Sequence, residues 1–289
     1  MCPNPARVDG RPNRAIVPVG MNTTLTPEQI AFYRENGFVL HRNLLAPAEM
    51  AELKTAVLDT VQAMGKKKFA EDSIEGEEGE NFYDKVFTQR VNLWRINPTV
   101  KRYMLDRTLG RALCQLSGRP GYRMWHDQTL IKEPFGNATA WHLDNPNWSF
   151  YSPDSISIWI ALEDATVENG CMWFVPGTPR FARYEHSPIG YNMADLFKVY
   201  PEMAKIETVP AVMKAGDCSF HNGLTAHGAG ANMTRRRRIA MVGIYMPVGS
   251  TFNGVRNVLP KPYFESLKPG DVLANDDWNP VVYAEGKSG

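Results

Sequence analysis

The feature that most constrains this chain is a change of hydrophobic period near residue 120. Before it, apolar residues recur at helical spacing; after it, short β-branched and aromatic runs alternate with Gly, Pro and Asn turns. Residues 26–37 carry a complete helix signature, with Thr26 as N-cap, Pro27 at the first position, Gln29 closing a capping box and Gly37 at the stop. Phe38, Val39 and Leu40 read as a short buried strand. A second helix starts at Pro47, places Met50, Leu53, Val57, Val61 and Met64 on one face, and ends at Gly65. A third is expected around Thr99 to Leu116, before Gly118. Strands are expected at Met124 to Lys132, Ser155 to Leu162, Cys171 to Val175, Asp217 to His221 and Arg237 to Met246.

Helices first and strands afterwards imply a mainly β architecture with flanking α: an antiparallel sandwich or jelly roll buttressed by N-terminal helices. A chain of 289 residues can form this as a single domain, with a helical buttress at about 25–118, a jelly-roll core at about 122–247 and a wrapping tail at 248–289. Lys66 to Asn81 lacks apolar periodicity and reads as a surface loop that could close over a pocket.

Composition excludes several functions. With 43% hydrophobic residues and a net charge of +1, the chain is neither disordered nor a strongly cationic nucleic-acid binder. The four cysteines, Cys2, Cys114, Cys171 and Cys218, form no CxxC pair, which argues against a disulfide scaffold or zinc ribbon and suits a reducing, cytoplasmic compartment. No apolar run of signal-peptide or membrane-span length is present.

Six histidines make the metal question tractable. In Trp141-His142-Leu143-Asp144 an extended strand would point His142 and Asp144 to the same side. That spacing alone also fits a histidine beside an unrelated aspartate. A later histidine near Gly216 to Asn232 could complete two histidines and one carboxylate, a set that leaves positions open on iron(II) for a chelating cosubstrate and dioxygen. Of Arg235 to Arg238, the last shares a strand face with Ala240, Val242 and Ile244. An inward arginine requires an anion, and a carboxylate gripped by both prongs would serve. Any arginine of the run could slide into that register, and a solvated loop is the other reading.

Four ordered blocks, TPEQIAFYRENGFVLHRNLL, HDQTLIKEPFGNATAWHLDN, WIALEDATVENGCMWFVPGTPR and GDCSFHNGLTAHGAGANMTRRRRIAM, resemble the phytanoyl-CoA dioxygenase family of iron(II)- and 2-oxoglutarate-dependent oxygenases from about Leu25 to Met246. The resemblance implies a double-stranded β-helix, iron(II) on His142, Asp144 and His227, and 2-oxoglutarate on Arg238 with Trp159 beside it, plus O2. Gln128 and Asn92 are further cosubstrate candidates, the more so because Ala229 stands where several members have a serine on the cosubstrate carboxylate. Asn145, Asn147, Trp148 and Tyr151 are the substrate candidates, for either an apolar molecule or a cationic amine. His126, His186 and His221 read as structural, with His221 the first exception.

The implied activity is hydroxylation, or another oxidation by hydrogen-atom abstraction, of a small organic substrate with release of succinate and CO2. Asp144 argues against halogenation, because related halogenases keep a small residue there for halide. The rivals are a zinc hydrolase on the same triad, which gives Arg238 no purpose, and a catalytically silent ligand-binding jelly roll.

Overall fold

The computed structural model describes residues 20–70 and 86–286. Helix α1 (Pro27–Asn36) begins as its sequence dictates: the Thr26 hydroxyl accepts from the Gln29 amide, and the Gln29 side chain accepts from the Thr26 amide. It ends on Gly37, whose φ of 82° suits glycine. Strand β1 (Phe38–His41) and helix α2 (Pro47–Met64) follow as read from the sequence. The single helix expected at Thr99 to Leu116 is two, α3 (Pro98–Met104) and α4 (Arg107–Ser117). The break is chemical: the Asp106 carboxylate accepts from the Thr108 and Leu109 amides and starts a new helix.

The large sheet has the order β1, β8 (Cys218–Asn222), β5 (Ile156–Ala161), β10 (Arg238–Pro247), β3 (Gly121–Lys132), β11 (Val281–Ala284), with β2 (Thr88–Val91) also on β3. The small sheet runs β4 (Thr139–His142), β9 (His227–Ala229), β6 (Met172–Phe174), β7 (Val209–Ala211). All named strand pairs are antiparallel. Together they are a jelly roll buttressed by helices. The short helices α5 (Asp195–Val199) and α6 (Lys261–Ser266) lie in connections.

Strand alternation separates two cores. Ile156, Ile158 and Ile160 of β5 pack with Leu53, Val57, Leu109 and Leu113 of the helices, whereas Trp159 and Ala161 join Phe174, Ala240, Val242 and Ile244 in the second core. On β3 the register slips beside Ile244 and Tyr245 of β10. Met124 packs on the helical side before this bulge and Ile131 after it, so the strand's parity has switched, and His126, Gln128 and Leu130 line the internal cavity. The segment after Pro247, expected to wrap the surface, enters the structure more deeply: Phe252, Leu259 and Leu273 are buried in the second core, and β11 pairs with β3.

Of the loop expected at Lys66 to Asn81, residues 71–81 lie outside the described residues. Phe69 forms a bridge with Val91. Among the described residues no helix is long and apolar enough to cross a membrane.

Candidate metal centre

Strands β4 and β9 lie side by side with His142 directly opposite His227, and their imidazole centroids are 4.2 Å apart. Asp144 arrives differently from the expectation. The strand ends at His142, and Asp144 (φ −74°, ψ −51°) opens the tight turn Asn145–Asn147, so a turn rather than the strand pleat delivers the carboxylate. Hydrogen bonds hold that turn, among them the Asn145 amide to the Gly223 carbonyl at 2.9 Å, the Asn147 amide to the Asp144 carbonyl at 3.0 Å, and the Asn147 side chain to the Leu143 carbonyl at 3.0 Å.

The result is a convergence of donor atoms. Asp144 Oδ1 lies 3.5 Å from His142 Nε2 and 3.7 Å from His227 Nε2. Each imidazole is aimed by its other nitrogen: His142 Nδ1 lies 2.8 Å from the Ala140 carbonyl and His227 Nδ1 lies 2.9 Å from the Thr225 carbonyl. A carbonyl only accepts, so Nδ1 carries the proton and Nε2 presents a lone pair inward, the tautomer that a metal ligand requires. His142, Asp144 and His227 are the one group of three or more such side chains among the described residues that could hold a metal ion.

Electrostatics agree. Burial, reinforced by His142, pulls the His227 imidazole down to about 3. Burial alone would raise the Asp144 carboxyl, but His227, His142 and His221 together hold it well below the usual carboxylate range. A neutral imidazole beside an ionised carboxylate is what a divalent cation meets without displacing protons.

The cluster sits in a cavity of about 300 Å³ that Gln128, Trp159, Ala229 and Arg238 also line. Arg238 is buried while Arg235, Arg236 and Arg237 are exposed, which fixes the register the sequence left open. Its Nη1 donates to the Gly170 carbonyl at 2.6 Å and its guanidinium lies 5.1 Å from the Trp159 ring centroid. Its Nε has no hydrogen-bond partner, and among the described residues no carboxylate pairs with it. Burial brings its pKa down to about 10, so it stays charged at neutral pH. A buried cation that no carboxylate neutralises leaves the cavity able to accept an anion.

The remaining expected residues divide. Asn147 and Trp148 line the cavity, whereas Asn145, Tyr151 and Asn92 do not. Asn145 is buried and its Oδ1 accepts from the Ser152 amide; Tyr151 is half exposed and packs on Tyr184 at 4.7 Å. Asn92, with a left-handed φ of 64°, opens a turn after β2 and lies outside the cavity lining. His186 is exposed, while His126 and His221, read as structural, line the cavity. Lys132, which the sequence reading did not single out, is buried beside Arg238 but outside the cavity lining. It is cross-strand from Arg238, and its Nζ donates to the Asn137 and Gly230 carbonyls at 2.9 and 2.7 Å. Gln128, Leu130 and Lys132 recur at period two, a signal that could have pointed to it. Ser157, inward between Ile156 and Ile158, reaches Asp144 Oδ2 at 3.3 Å and was missed as well.

The phytanoyl-CoA dioxygenase (PhyH) family profile matches residues 33–240. A dioxygenase, lolE1, of Epichloe uncinata is 30% identical over 233 residues, covering 76% of this chain and 82% of that protein. A phytanoyl-CoA dioxygenase of Arabidopsis thaliana is 23% identical over 77% of this chain and 89% of its own length. The non-heme α-ketoglutarate-dependent carbocyclase SnoK from nogalamycin biosynthesis superposes with a TM-score of 0.72 at 26% identity, covering 92% of this chain and 99% of that one.

Proposed function

The chain belongs to the phytanoyl-CoA dioxygenase family, and from that premise we propose that His142, Asp144 and His227 hold its iron and Arg238 the far carboxylate of 2-oxoglutarate. The enzyme is an iron(II)- and 2-oxoglutarate-dependent dioxygenase. Its bound iron supplies the oxidising chemistry, in which O2 and 2-oxoglutarate yield succinate, CO2 and an oxidised substrate.

What the chain contributes is placement. The Ala140 and Thr225 carbonyls hold the two imidazoles in the tautomer that offers Nε2. Arg238, braced by the Gly170 carbonyl and the Trp159 face, supplies the fixed positive charge that orients the cosubstrate. Gln128, whose side chain accepts from Gln89, stands in the same cavity and supports a further polar contact. Phe69, Phe87, Leu130, Trp148, Ile189 and Val258 give the cavity apolar wall beside the polar side chains of Lys68, Gln89, Thr139 and Asn257, which supports a small organic substrate with apolar and polar parts. Asn147 and Trp148 are its proposed contacts. Asp144 fills the position that a halide would need, which favours hydroxylation. The pairing of β11 with β3 supports reading buttress, jelly roll and tail as one domain, and the free cysteines Cys114, Cys171 and Cys218 suit a reducing cytoplasm.

The observation that carries the reading is a buried arginine without a carboxylate in the cavity that holds the His-Asp-His cluster. A zinc hydrolase gives that charge no partner. The test is succinate formation from 2-oxoglutarate with O2 and added iron(II) or zinc(II). Iron-dependent succinate is expected, and zinc-supported hydrolysis without it would overturn the reading.

A further inference from the structure

His221 lies on β8, on the inward face that Phe220 does not share, and is 2% exposed. Its Nε2 is 3.5 Å from Asp144 Oδ2, and Ser157 Oγ reaches the same oxygen at 3.3 Å. Thus the two carboxylate oxygens have different surroundings. Oδ1 faces the inward nitrogens of His142 and His227, and Oδ2 faces Ser157 and His221. We infer that His221 is a positioning residue that holds Oδ2 with Ser157, so that Asp144 presents Oδ1 alone to the iron. The inference rests on the ligand set proposed above.

A fourth-ligand role for His221 is the competing assignment, and its second nitrogen decides against it. A metal-ligating histidine donates its other N–H to an acceptor. His142 and His227 each do so to the carbonyl two residues earlier, whereas His221 Nδ1 is buried with no hydrogen-bond partner. Binding a metal through Nε2 would require a proton on that orphaned Nδ1 and leave a buried donor unsatisfied. Donation from Nε2 to Asp144 leaves only an unfilled acceptor. The ring packs at a tilt against Phe174, 5.5 Å between centroids, and against His227 at 4.8 Å. An aspartate anchored at one oxygen binds through the other, and this keeps the remaining iron positions open for cosubstrate and O2.

The test compares His221→Leu with His221→Gln, whose side-chain amide keeps an N–H donor, by anaerobic iron(II) titration and by the absorption bands of the cobalt(II)-substituted protein. Leucine is expected to weaken iron(II) binding roughly 10- to 100-fold and to change the cobalt spectrum. Glutamine should restore affinity to within a few-fold and return the spectrum. Wild-type affinity and spectrum in the leucine variant, or equal losses in both variants, would overturn the inference. Should the leucine variant fail to fold, Ser157→Ala decides in its place: weakened iron(II) binding supports the anchor and unchanged binding overturns it. Asp144→Ala separates this from the underlying reading. If that variant binds iron(II) like the wild type, the proposed ligand set fails, and the anchor falls with it. If it loses the metal while His221→Leu does not, the anchor alone fails.

Discussion

Replacing Arg238 by methionine removes the charge while keeping much of the volume. The Arg238 residue is 1% exposed, and its guanidinium makes one bond of 2.6 Å to the Gly170 carbonyl and leaves Nε unpartnered. Deleting an uncompensated buried charge relieves a desolvation cost, whereas the lost hydrogen bond and cation–π contact each cost about 1 kcal/mol. These terms oppose one another, so the ligand-free variant should stay within about 2 kcal/mol of the wild type. Binding of 2-oxoglutarate responds differently, because truncating one partner of a buried charge pair costs about 2–5 kcal/mol. At about 1.4 kcal/mol per decade, that is a rise of roughly 30-fold to several thousand-fold in the cosubstrate KM. Succinate release in the absence of substrate measures this KM, and thermal melting with and without 2-oxoglutarate under anaerobic iron(II) measures the stability. The variant should melt near the wild type but lose the cosubstrate-induced shift. A KM within threefold of the wild type, or a large loss of stability with an unchanged response to cosubstrate, would refute the argument.

Lys132 should give stability a measurable pH slope. Burial, helped by Arg238, brings its pKa down to about 6, and the two N–H groups of a neutral amine match its two carbonyl acceptors. Between that value and the ordinary lysine value of about 10.4, the unfolded chain binds a proton that the folded chain does not. Stability from this group therefore rises by about 1.4 kcal/mol per pH unit across the window. Urea unfolding at pH 7 and 9 should show this rise in the wild type and its loss in Lys132→Met, and parallel profiles would contradict it. Gly170→Ala should destabilise by about 1–3 kcal/mol, because φ is 84° and an added Cβ collides with the Gly230 carbonyl. It should also raise the cosubstrate KM by moving the carbonyl that braces Arg238, and wild-type melting and KM together would count against it.

Local chemistry explains what could be read from the chain. The ends of α1, set by Thr26, Gln29 and Gly37, depend on neighbours in sequence, and so does the inward face of β10 from Arg238 through Ala240 to Val242. The Asp106 cap is equally local, and it divides into α3 and α4 the stretch whose apolar spacing alone reads as one helix. Harder to read were features set by contacts between distant segments. The bulge opposite Ile244 and Tyr245 resets β3 and brings His126 to the cavity, which no alternation rule anticipates. Asn145 and Tyr151 are near the His-Asp pair along the chain. The turn that swings Asp144 inward instead buries Asn145 against Ser152 and turns Tyr151 toward Tyr184. His221 is six residues from His227 in sequence, yet only the pairing of β8 with β5 shows that it and Ser157 face one carboxylate oxygen.

Anomalous diffraction at the iron edge, from crystals soaked anaerobically with iron(II) and 2-oxoglutarate, tests the central claim most directly. One strong peak is expected within bonding distance of His142 Nε2, His227 Nε2 and Asp144 Oδ1, with a cosubstrate carboxylate on the Arg238 guanidinium. Iron bound elsewhere, or 2-oxoglutarate seated away from Arg238, would contradict it.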